Sequence, residues 1–384
     1  MSASAEISLI AALISAACAL PGAFLVFRHM SMMTDAITHS ILLGIVLAFF
    51  QTRDLSSPWL IVGATLMGVF TVWLTEKLAD TNLVKEDAAI GVVFSTLFSV
   101  AIILIAMNAR SVHIDTDSVL LGELAFAPFD RLVLFGRDLG ARSLYTSGAV
   151  LLINLSVIGI FYKELRLTTF DPAFAAAIGF SPVTVHYVLM LLASMTSVVA
   201  FEAVGSVLVV AFMIIPPVTA TFLTNNLKAQ FALSALIGAL SGVFGYAAAV
   251  WLDVSIAGCM AVVCGLMFLL AFLFAPKRGM ISELIRYWTR KVEFDRFTLL
   301  THLMNHAGSA IEERENSLSS LPLHLGWAPK RVERASKYLL NKGALRSFHE
   351  VLFVTDQGKA DYLRYCEELF GEAEERLAAA LAEG

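Results

Sequence analysis

Nine apolar stretches, most of roughly 20 residues, recur between residues 7 and 275, and they constrain the fold more than any other feature. A helix rising 1.5 Å per residue needs about 20 residues to cross a hydrocarbon core about 30 Å thick. The stretches cover residues 7–27, 36–50, 58–78, 88–107, 144–162, 183–201, 206–223, 231–251 and 255–275. Inside a bilayer the backbone must satisfy its own hydrogen bonds, so each stretch is expected to be helical. The chain is 58% hydrophobic and only 15% charged, too little charge to wet the surface of a soluble protein of 384 residues. Its formal net charge of -5 gives no hint of a polyanionic partner.

The first stretch lacks a basic flank and is followed almost at once by a second, so it is expected to be a span, not a signal peptide. The stretch 36–50 is short for a lipid-facing helix and is expected to be an inner one. Gly44, Gly63, Gly68, Gly238, Gly242 and Gly245 are spaced for close helix packing. Placing the N-terminus outside puts Arg28, Lys77, Lys85, Lys163, Arg166, Lys228, Lys277 and Arg278 in the cytoplasm, and leaves Arg53, Arg110, Arg131, Arg137 and Arg142 outside. A re-entrant piece near residues 119–126 would alter the count. The four cysteines form no C-x-x-C pair and are expected to act as small hydrophobes.

The composition changes near residue 280. Residues 1–279 are expected to form the transmembrane domain and residues 280–384 a small cytoplasmic α+β domain. The order expected for the latter is helices over 294–307, 317–325 and 329–342, strands within 344–354, and a helix over 356–380. The fold class is therefore an all-α polytopic membrane protein carrying a small C-terminal domain.

Asp35 and His39 stand four residues apart at the start of a span, which places them on one helix face. A carboxylate and an imidazole converging there make half a site for a divalent transition metal. A dipole-favouring Asp beside an uninvolved His is the plainer alternative. Glu202 sits where an outer helix end meets a kink, and could line a pathway. His113, Asp115, Asp117 and Glu123 cluster in one long loop, where Asp115 and Asp117 are candidate cation collectors. Pro216 and Pro217 are expected to kink or break their span. In residues 170–180, Asp171 can cap a short helix, Pro172 suits its first turn and Gly179 can end it. Phe170, Phe174 and Ile178 then form an apolar stripe suited to a membrane surface or to a groove on a partner protein.

Together these segments resemble the permease subunits of the ABC importers for manganese, zinc and iron. The carriers are Met-x-x-Asp-Ala-x-x-His at 32–39 with Gly44 after it, Glu-Asp-Ala-Ala-Ile-Gly at 86–91, Leu-Leu-Gly-Glu at 120–123, Phe-Asp-Pro at 170–172, and Val-Gly-Ser-Val-Leu-Val at 204–209 running into Ile-Pro-Pro-Val-Thr-Ala at 215–220. The resemblance implies a multi-pass protein of the bacterial cytoplasmic membrane. It implies pairing with a second permease subunit, delivery by an extracytoplasmic metal-binding protein, and energy from cytoplasmic ATP-binding subunits. Asp35 and His39 match the family's metal-contacting pair, and residues 171–178 match its ATPase-coupling helix. Mn2+, Zn2+ or Fe2+ would be cargo, with no permanently bound cofactor. The chain has no Gly-x-x-x-x-Gly-Lys-Ser/Thr loop, so ATP hydrolysis is expected in another chain and none of these residues is expected to be catalytic.

The C-terminal segment resembles a winged helix, similar to the DNA-binding half of iron- and manganese-dependent repressors. Lys330, Arg331, Arg334 and Lys337 give it only a modest basic face, so a regulatory or docking role is expected and nucleic acid is not. The alternatives are a membrane-anchored, metal-responsive transcription regulator and a secondary metal transporter working without ATP.

Overall fold

The computed structural model describes residues 2–54, 57–108, 124–134 and 137–367. Inter-residue contacts divide the chain into two units, Met1–Met280 and Ile281–Gly384.

Among the described residues of the first unit, nine helices are long and apolar enough to cross a membrane. These are α1 (Ala3–Phe27), α2 (Ser31–Thr52), α3 (Trp59–Ala79), α4 (Glu86–Asn108), α5 (Arg142–Ile160), α8 (Pro182–Val204), α9 (Ser206–Leu223), α10 (Leu227–Leu252) and α11 (Ile256–Phe274). Two short helices, α6 (Tyr162–Phe170) and α7 (Pro172–Ala177), join α5 to α8. Between α4 and α5 lie a 3-10 turn (Leu124–Phe129) and an antiparallel hairpin of β1 (Arg131–Leu134) with β2 (Arg137–Ala141). The 3-10 turn packs Leu124 and Ala127 into the core. Of the expected re-entrant piece, residues 119–123 lie outside the described residues.

Helices α1, α2 and α8 are the most enclosed, while α4, α5 and α11 expose most of their surface. The first helix packs against α10, α9 and α5, and so belongs to the body of the bundle. Ile10, Ile14, Phe212 and Met213 share one core cluster, and Leu25, Ile37, Ile41 and Met190 share another.

Two expectations need correction. Helix α2 is not short: it begins at Ser31 and spans 22 residues. Thr34 and Asp35 lower the local hydropathy without ending the helix, and Thr38 returns its hydroxyl to the Thr34 carbonyl at 3.1 Å. Helix α9 runs unbroken through Pro216 and Pro217. The chain breaks at Gly205, between the stretches expected at 183–201 and 206–223, and its φ of 78° is readily open to glycine. Pro217 deprives the Met213 carbonyl of its helical donor, and Gly22 of α1 lies so close to that carbonyl that a Cβ would overlap it. The anticipated close packing at Gly44 is present, since a Cβ there would fall 2.6 Å from the Gly63 carbonyl oxygen.

The second unit contains α12 (Met280–His306), α13 (Glu312–Glu315), α14 (Leu321–Leu325), α15 (Pro329–Asn341), the hairpin β3 (Leu345–Phe348) and β4 (Val351–Val354), and α16 (Asp356–Cys366). The first helix starts well before residue 294, so the charged stretch 280–293 is helical too. Leu299, Leu300, Leu303, Leu321, Val332, Leu339 and Leu352 form its core. Thr355 caps α16 through the Gly358 N–H, and its hydroxyl donates to the Gly343 carbonyl at 2.7 Å. Arg331 pairs with Asp295 and stacks 4.3 Å from the Trp327 ring centroid, so one of the four basic residues on α15 is already engaged. Burial holds the His302 imidazole below its ordinary range.

Candidate metal pathway and coupling surface

One helical turn separates Asp35 from His39, and the imidazole Nε2 lies 3.4 Å from Asp35 Oδ1. Their neighbours Met33, Ala36, Ile37, Thr38 and Ser40 are buried, whereas these two side chains remain 35% and 26% exposed. They occupy the side of α2 that this chain does not close over. Phe94 and Phe98 of α4 flank the imidazole at centroid distances of 5.6 and 5.7 Å. Thr38 donates to the Asp35 carbonyl at 2.9 Å, which fixes the turn between the pair. One carboxylate and one imidazole on a rigid helix, backed by aromatic rings, supply two hard-to-borderline donors and leave other coordination positions open.

Glu202 is exposed near the C-terminal end of α8. Among the described residues it does not join Asp35 and His39 in a cluster of three potential metal ligands. His113, Asp115, Asp117 and Glu123 lie outside the described residues.

Residues 170–180 form a compact helical device. Asp171 Oδ1 accepts from the Phe174 N–H at 2.8 Å, Pro172 occupies the first turn, and Gly179 leaves the helix at φ 93°. Phe170, Phe174 and Ile178 are each at least half exposed, while Ala175 is buried. The Phe170 ring also meets Phe27 at 5.8 Å, which ties the stripe to the end of α1.

A polar network at the same end escaped the sequence reading. Arg28 donates to Thr169 Oγ1 and Thr168 Oγ1, each at 3.1 Å, and to His186 Nδ1 at 3.3 Å. Arginine has no acceptor, so His186 Nδ1 must accept and its Nε2 carries the proton. That nitrogen lies 2.6 Å from Glu76 Oε1, and Tyr187 donates its hydroxyl to Glu76 Oε2 at 2.9 Å. The network joins α1, α3, α6 and α8 directly beside α7. No local spacing could have revealed it, because the partners are distant in sequence.

Comparison with known proteins follows the same division of the chain. The model of the ABC 3 transport family matches residues 4–275. The chain is 42% identical to the zinc transport system membrane protein TroD of Treponema pallidum over 353 residues, 92% of this chain and 96% of that protein. That match is longer than the first unit and so extends into the second. The manganese transport system membrane protein MntD of Bacillus subtilis is 43% identical over 274 residues, 71% of this chain and 92% of that protein. Among solved structures, PsaBC from Streptococcus pneumoniae in complex with Fab superposes with a TM-score of 0.61 at 29% identity, covering 71% of this chain and 92% of that one. With a family model matching well over half of its length, the chain belongs to the ABC 3 transport family.

Proposed function

We propose that this chain is a transmembrane subunit of an ATP-driven importer of a divalent transition metal in the bacterial cytoplasmic membrane. The observation that carries the reading is the Asp35–His39 pair, set on an enclosed helix and open on one side only. A second permease subunit would cover that side and complete the pathway. An extracytoplasmic metal-binding protein would deliver the ion. A cytoplasmic ATPase would grip the Phe170, Phe174 and Ile178 stripe and move α7. The Arg28–His186–Glu76 network would pass that motion to α1, α3 and α8, switching access between the two sides.

A carboxylate with an imidazole, and no thiolate, fits Mn2+ or Fe2+ and does not exclude Zn2+; Mn2+ is proposed first as cargo. The names of the two relatives above divide between zinc and manganese, in keeping with so loosely selective a donor set. Few protein ligands also favour release, which a pathway needs as much as binding. Glu202, Asp115 and Asp117 would contribute further along the route.

We assign the second unit a winged-helix-like regulatory or docking role in the cytoplasm, supported by its order of helices, hairpin and closing helix. The transcription-regulator reading is not favoured. A relative named as a transport-system membrane protein matches 92% of the chain, and Arg331 is paired with Asp295. The test is the total manganese, zinc and iron content of cells with and without the gene. One metal should fall on deletion and return on complementation; no change in any of the three would contradict the reading.

A further inference from the structure

The second unit gathers imidazoles where the proposed transport does not need them. Helix α12 carries His302 and His306 one turn apart, with ring centroids 4.8 Å from each other. Glu315 ends α13, and His324 lies in α14 with its Nδ1 2.7 Å from Glu315 Oε2. His302, Glu315 and His324 each offer a ligand atom, and these atoms all lie within 4.8 Å of one another. His302 Nε2 also approaches the Glu315 carbonyl oxygen at 3.4 Å.

Core packing holds this arrangement in place. His302 adjoins Leu303 and His324 follows Leu321 by three residues, and both leucines are fully buried in one cluster. The Glu315 N–H donates to the Ile311 carbonyl at 2.9 Å, and Ser320 Oγ donates to the Glu315 carbonyl at 3.2 Å. A surface ion pair between His324 and Glu315 would account for two of the three groups. It leaves out His302, whose ligand atom lies within 4.8 Å of those of the other two.

We propose that His302, Glu315 and His324 form a binding site for one divalent transition-metal ion, separate from the Asp35–His39 pair. Two imidazoles and one carboxylate are the donor set that Mn2+, Fe2+ and Zn2+ share. A neutral imidazole can bind through either nitrogen, so the ion would replace the direct contact between His324 Nδ1 and Glu315 Oε2. The ion would pin α12 to α13 and α14, so the unit's rigidity would follow the free metal around it.

The test is titration of the full-length chain in lipid nanodiscs with Co2+, read by its visible ligand-field bands. An Asp35→Ala, His39→Ala background removes the pathway pair from the count. That background should bind one Co2+ per chain through this site, and adding His302→Ala with His324→Ala should abolish the binding. Glu315→Gln, which preserves shape, should weaken it by about 10-fold to 100-fold, and decides the matter if the double histidine variant does not fold. A background that binds no Co2+, binding that survives loss of both histidines, or a Glu315→Gln affinity equal to that of the background would each overturn the proposal.

Discussion

His186 Nε2 lies 2.6 Å from Glu76 Oε1, and this contact binds the start of α8 to the end of α3 beside the exposed α7 helix. Tyr187 donates its hydroxyl to the same carboxylate, and Arg28 holds the far side of the imidazole. Glu76→Ala would leave the Tyr187 hydroxyl without its acceptor and remove the carboxylate beside His186. It is expected to cost about 1–3 kcal/mol and to lower transport further than this loss of folded protein explains. Tyr187→Phe removes one hydrogen bond and should cost about 0.5–1.5 kcal/mol. Thermal unfolding in detergent, paired with uptake per folded molecule, separates the two effects.

Helix α7, proposed above to couple to the ATPase, depends on one cap and one stripe. Asp171→Ala removes the acceptor for the Phe174 N–H and should destabilise the helix by about 1 kcal/mol, leaving assembly with the ATPase weakened. Phe174→Asp places a charge in the exposed stripe and should abolish co-purification of the ATPase subunit without lowering the yield of folded permease. Co-purification from membranes at matched expression measures both.

Gly22 packs against the Met213 carbonyl that Pro217 leaves without a helical donor. Gly22→Val must push α1 away from α9 and should destabilise the bundle by about 1–3 kcal/mol. Gly148, in α5, has open space where a Cβ would stand, so Gly148→Ala should be neutral or slightly stabilising. The Tm values of the two variants should therefore move apart.

The spans were legible because apolar run length is itself the physical requirement for crossing a bilayer. The α7 helix was legible because Asp171, Pro172 and Gly179 act within their own turn. Reasoning from hydropathy shortened α2, since polar residues at its ends lower the hydropathy without ending it; Thr52 returns its hydroxyl to the Ala48 carbonyl at 3.1 Å. The same reasoning placed a helix end before Gly205, where the chain does break, and expected a further kink or break at Pro216 and Pro217, where the helix runs on despite the lost donors. The Asp35–His39 pair could be read from a spacing of four. The Arg28–His186–Glu76 network could not, because its members meet only once α1, α3 and α8 have packed.

The central claim is that the ion passes Asp35 and His39. It is tested most directly by ATP-driven uptake of radioactive Mn2+ and Zn2+ into proteoliposomes holding the permease, its ATPase and its metal-binding protein. Asp35→Asn and His39→Ala should each lower uptake of the transported metal by about 10-fold or more, while the ATPase remains assembled. Uptake by both variants equal to that of the unaltered complex would contradict the account.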